Sequence, residues 1–100
     1  MAQNTFVTLP KGVWTAITNA DVAADISIAL IDGRCAIQAT ATGGSAPAAS
    51  SDDGLPLLSH GDGWSEATIA EKFPGVATAV LLFGKPLDNE DARVYVSHGA

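Results

Sequence analysis

The stretch Ile26 to Ala41, ISIALIDGRCAIQATA, constrains this chain more than any other. Ile26, Ile28 and Leu30 alternate with Ser27 and Ala29, a period of two that puts the large side chains on one face of a strand. Cys35, Ile37 and Ala39 then alternate with Ala36, Gln38 and Thr40. Between the two runs lies Asp32-Gly33, a pair that accepts the positive φ angles of a tight two-residue turn. The pattern predicts a β-hairpin. A β-structure built around it must bury the isoleucine face against a second layer.

The flanking sequence repeats this vocabulary in shorter pieces. Asn4 to Leu9 reads as a first strand, with Thr5, Val7 and Leu9 on one face and Phe6 and Thr8 on the other. Pro10-Lys11-Gly12 breaks it, and Val13 to Thr18 is rich in β-branched and aromatic residues. The short connection predicts a hairpin here too. Leu55 to Leu58 is a short strand that Pro56 either pushes to a sheet edge or turns into extended coil. Trp64 to Phe73 is ambiguous. Ser65 and Glu66 can open a helix in which Ile69 and Phe73 share a face at i, i+4. A strand from Trp64 to Ile69 is the alternative. About two turns of helix, Glu66 to Phe73, ending before Pro74-Gly75, is the preferred reading. Val76 to Gly84 reads as a buried strand and Ala92 to His98 as the last, joined as a further hairpin.

Six or seven short strands in 100 residues predict one all-β domain, residues 1–100. The expected fold is a small antiparallel β-sandwich of jelly-roll type with at most one short helix. A small barrel fits the same count. Residues 42–54, TGGSAPAASSDDG, form a long loop by composition, expected to be loose in a free monomer.

The 47% hydrophobic content includes 18 alanines, and only 16% of residues are charged. Such a composition suits either an ordinary soluble domain with a surface of small residues or a surface partly covered by copies or partners, where charge is costly to desolvate. The net charge is −6, and the five basic residues, Lys11, Arg34, Lys72, Lys85 and Arg93, form no run. Phosphate binding needs clustered cations, so no nucleic-acid partner is expected. The acidic balance likewise opposes anionic lipid. No secretory signal opens the sequence, so synthesis in the cytoplasm without an export route is expected. The lone Cys35 lies on the apolar alternation and is expected as a buried free thiol.

Little in the chain carries chemistry. His60, Asp62, Asp52 and Asp53 are close in sequence, but their spacing fits no EF-hand loop, and zinc would need further His or Cys ligands nearby. Solvated turn residues are the plainer reading, and no metal or cofactor is expected. Ser51 to Glu66 contains four acids and no Lys or Arg, which suits either a basic partner or simple solvation. No Gly-x-Ser-x-Gly elbow accompanies the Ser, His and Asp residues, and His98 sits too near the end to be held rigidly. No enzyme is expected, and no catalytic residue. Trp14, Trp64 and Tyr95 offer faces on which sugars stack, against burial in a core or interface.

Three segments together, VTLPKGVWTAITNADV (7–22), FPGVATA (73–79) and RVYVSHGA (93–100), resemble small virion proteins of tailed bacteriophages, the kind encoded beside head-assembly genes. The resemblance implies a non-enzymatic β-rich module present in many copies. It implies a capsid decoration, or cement, protein on the outer capsid surface. The implied partners are the major capsid protein and copies of the chain itself as a homotrimer. A tail or fibre component is the alternative, as is a carbohydrate-binding β-sandwich. The acidic charge agrees with an outer position, since packed DNA would repel it. The residues least useful to a monomer are the expected interface: Phe6, Ser45, Pro47, Asp52, Asp53 and Trp64.

Overall fold

A computed structural model describes residues 2–48, 50–51 and 53–99. Among the described residues eight strands run in chain order: β1 (Gln3–Leu9), β2 (Thr15–Ala16), β3 (Ile26–Asp32), β4 (Cys35–Thr40), β5 (Leu55–Leu57), β6 (Gly63–Ala67), β7 (Leu81–Pro86) and β8 (Ala92–His98). A short helix, α1 (Ile69–Lys72), follows β6. The strands form two four-stranded sheets, ordered β1-β8-β3-β6 and β2-β7-β4-β5, with every pairing antiparallel. Successive strands cross between the sheets at nearly every connection, which is the jelly-roll order, two Greek keys wrapped into a sandwich.

That order corrects the expected hairpins. β3 and β4 are not partners: β3 pairs with β6 and β8, and β4 with β5 and β7. The Asp32-Gly33 turn instead carries the chain from one sheet to the other, with Gly33 at φ 74°. The same holds for β1 and β2, and for β7 and β8. The physical reason is burial. Two adjacent strands in one sheet would leave their shared apolar face needing a cover. Placed in opposite sheets, Ile28 and Leu30 face Cys35 and Ile37 across the core, and each strand covers the other. Those four side chains are 0–2% exposed, with Leu9, Ile17, Leu82, Val94 and Val96 around them at 0–1%.

The middle of the chain is divided differently from the sequence expectation. β6 takes Gly63 to Ala67 as a strand, and only Ile69 to Lys72 are helical. The helix start is not Ser65-Glu66. It is Thr68, whose hydroxyl accepts from the Glu71 N–H at 3.2 Å while the Glu71 carboxylate accepts from the Thr68 N–H at 3.0 Å, a capping box. Val76 to Val80 is also not strand. Thr78 sits at φ 51°, and the Val80 N–H donates to the Thr40 carbonyl as β7 begins one residue later.

His98, expected to be loosely held, is 7% exposed. Its Nε2 lies 3.0 Å from Gln3 Oε1, and Gln3 Nε2 donates to the Ile17 carbonyl at 2.9 Å. One amide side chain thus ties the ends of β1 and β8 to the segment leaving β2, across both sheets. Among the described residues no helix is long and apolar enough to cross a membrane.

Candidate functional surfaces

The two outer faces of the sandwich differ, and the difference follows from the alternation of the strands. On the β1-β8-β3-β6 sheet the outward row through Phe6 is Phe6–Tyr95–Ala29–Gly63, each residue paired with the next. Phe6 is 56% exposed. Its ring meets Tyr95 edge-on at 5.8 Å, and the Arg93 guanidinium carbon sits 5.1 Å from its centroid. Arg93 is also 3.3 Å from Asp32 across the strands. The Tyr95 hydroxyl donates to Asn4 Oδ1. The result is a face of aromatic and small polar groups on which Arg93 and Asp32 offset each other.

The outer face of the other sheet is covered by its own loop. Ala36 and Lys85 pair on this face, yet they are 1% and 8% exposed. The covering chain is the segment between β4 and β5. The Ser51 carbonyl accepts from Trp14 Nε1 at 3.0 Å and from Lys85 Nζ at 3.2 Å. Gln38 Nε2 donates to the Asp53 carbonyl. At the far end, the Gly44 N–H donates to the Ala41 carbonyl and Thr42 Oγ1 donates to Asp21. The loop expected to be loose is therefore anchored at both ends within one chain. Trp14, just before β2, Gln38 of β4 and Lys85 of β7 make that attachment, and none is adjacent to the loop in sequence. Glycine at 54 permits it, because a Cβ there would lie 2.7 Å from the Ile37 carbonyl oxygen.

The residues expected at an interface are not brought to one surface. Phe6 lies on one outer face. Ser45 and Asp53 are exposed and Pro47 half-buried on the loop over the opposite sheet. Asp52 lies outside the described residues. Trp64 is interior, 9% exposed, with its ring edge-on to Phe73 at 6.1 Å. Its Nε1 is buried with no hydrogen-bond partner among the described residues, so Trp64 packs the core and has no open face for a sugar. Sequence reasoning missed Tyr95 and Arg93 as companions of Phe6. The signal was present only as alternation within β8, whose pairing with β1 no local pattern announces.

Two turn acids, Asp62 and Asp88, have structural partners. The Asp62 carboxylate accepts from the Leu58 and Ser59 N–H groups, each at 2.9 Å, and these two bonds hold it below the usual carboxyl range. The Asp62 carbonyl receives the Leu30 N–H and locks the turn to β3. Arg34 grips Asp88 with two nitrogens, which lowers the Asp88 carboxyl and raises the guanidinium. Cys35 is fully buried, and desolvation pushes its thiol up to about 12. Among the described residues there is no pocket and no group of three or more His, Cys, Asp or Glu able to hold a metal ion. Compared with known protein families, with characterised proteins and with solved structures, the chain matches none.

Proposed function

We propose that this chain is a non-enzymatic structural protein of a tailed-phage virion, a decoration protein that binds the outer capsid surface and stabilises the head. Its partners in this reading are the major capsid protein and other copies of itself. The observation that carries the proposal is the loop braced over the β2-β7-β4-β5 sheet. Residues 42–51 contain no charged side chain in a chain of net charge −6. Small uncharged residues are cheap to desolvate, and the bonds to Trp14, Lys85 and Gln38 meet part of the ordering cost before any partner arrives. The jelly-roll order agrees with this reading by analogy, since such folds recur in viral capsids, although they also occur in lectins and enzymes.

Decoration of this kind acts by mass action. A protein that binds assembled shells better than free subunits stabilises the shell by that difference, and many weak contacts add on one particle. The test is to heat undecorated capsids with and without saturating protein. The expected result is a raised capsid melting temperature, reduced when Ser45 and Pro47 are both replaced by glutamate. An unchanged capsid melting temperature with the natural protein would overturn the proposal. An increase that survives the double replacement would remove the loop from the docking site.

A further inference from the structure

Two open sheets end in four edge strands among the described residues: β1 and β6 in one sheet, β2 and β5 in the other. An edge strand presents unpaired N–H and C=O groups, and soluble proteins guard such edges with brevity, proline, charge or bulges. Three of the four edges here are guarded. β2 is two residues long. β5 is three residues long with Pro56 at its centre. β6 meets β3 with a register shift, carries Glu66, and holds that residue at φ 53°. β1 has none of these devices. It runs for seven residues, QNTFVTL, with no proline and no charge, in unbroken register with β8 from Gln3↔His98 to Leu9↔Ala92. Alternate residues of such a strand turn their backbone groups away from the neighbour.

We infer that the free edge of β1 pairs with β1 of a second copy, antiparallel about a two-fold axis at Phe6, fusing the two sheets into one continuous sheet. Charge selects the occupant. Two copies of net charge −6 repel, so they can approach closely only along a line free of carboxylates. Pairing centred on Phe6 sets Asn4 against Thr8, Thr5 against Val7 and Phe6 against Phe6, so each of these cross-strand pairs is neutral and no like charges oppose. The nearest cation, Arg93, is balanced by Asp32 within the same chain. The exposed Phe6 rings would then bury against each other and extend the Tyr95–Phe6 row across the axis. At the β6 edge, by contrast, Glu66 would add to the repulsion between copies.

This inference deepens the proposed function by naming where two copies meet, and its test needs no capsid, so the two readings fail separately. Sedimentation velocity of the full chain over a concentration series is expected to show a monomer–dimer equilibrium. Phe6→Glu places two carboxylates at the axis, while Arg93 beside it supports the folded chain. The dissociation constant is expected to rise by about tenfold or more. Leu58→Glu, at an exposed position following β5, is expected to leave the equilibrium unchanged. Hydrogen exchange on the natural protein gives a second readout independent of any variant: amides of β1 that face away from β8 should slow as concentration rises. A natural protein that is monomeric throughout or trimeric, a Phe6→Glu variant that associates as tightly, or β1 exchange independent of concentration would each overturn the inference.

Discussion

Gly63 offers the sharpest single test of the sandwich as described. It begins β6 at φ 146° and pairs with Ala29 under the exposed aromatic row. A Cβ placed there falls 1.9 Å from the Ile28 carbonyl oxygen and 2.7 Å from its carbon. A carbon and a carbonyl oxygen in contact ordinarily sit roughly 3.3 Å apart or more. The obstruction is backbone, so no rotamer change relieves it. Gly63→Ala must therefore push β6 off β3 and weaken the Ala29↔Gly63 and Ile28↔Trp64 pairs. Two net hydrogen bonds cost about 2 kcal/mol, and the unfavourable dihedral adds about 1 to 2 kcal/mol. The sum, about 3 to 4 kcal/mol, is a large part of the roughly 5–15 kcal/mol that holds a domain folded. Gly61 is the matched control: it sits at φ 92°, and a Cβ there would meet nothing within 4 Å. Gly61→Ala should show only the dihedral cost. Urea unfolding of both variants, extrapolated to water, is expected to separate them by about 2 kcal/mol. Costs that agree within about 1 kcal/mol would refute the close approach of β6 to β3.

Acid and base should act on different groups. Asp62, Glu71 and Asp88 are each held below their ordinary carboxyl values, by the Leu58 N–H, the Thr68 N–H and the Arg34 guanidinium respectively. Their stabilisation is complete above the unfolded values of 3.8 and 4.5 and is lost as pH falls through the lower folded values. On the acid side the melting temperature should thus decline below about pH 5, and less steeply in Asp62→Asn. A midpoint that is flat to pH 2 would argue against these bonds. Cys35 works in the opposite direction: burial raises its thiol from 9.0 to about 12, so folded stability should fall as pH rises across that interval, and less in Cys35→Ala. The same burial predicts negligible thiol labelling of the native chain at neutral pH and complete labelling in urea. Rapid labelling without denaturant would contradict it.

Local sequence by itself determined most of the extended segments and the buried face of the strands with a clear alternation, but not the division of residues 63–80, where β6 and the late start of β7 differ from the local pattern. The alternation of Ile26, Ile28 and Leu30, and of Cys35 and Ile37, marks two core-facing strands, and Ala92 to His98 is β8 from end to end. Phe6 stands opposite Val7 and Leu9, and its exposure was legible for the same reason. What sequence could not decide was partnership. A period of two identifies the buried face and carries no information about which strand lies alongside. An inter-sheet corner and a hairpin therefore read alike at Asp32-Gly33. β1 finds β8 across nearly the whole chain, and only that pairing assembles Phe6, Tyr95 and Arg93. The loop after β4 was legible as a loop, but its anchoring rests on Trp14, Gln38 and Lys85, which three separate segments bring beneath it. Trp64 shows the same limit from the other side. An aromatic ring in a short strand can face a ligand or a core, and the packing of Phe73 against it, set by the capped turn of helix at Thr68, put it inside.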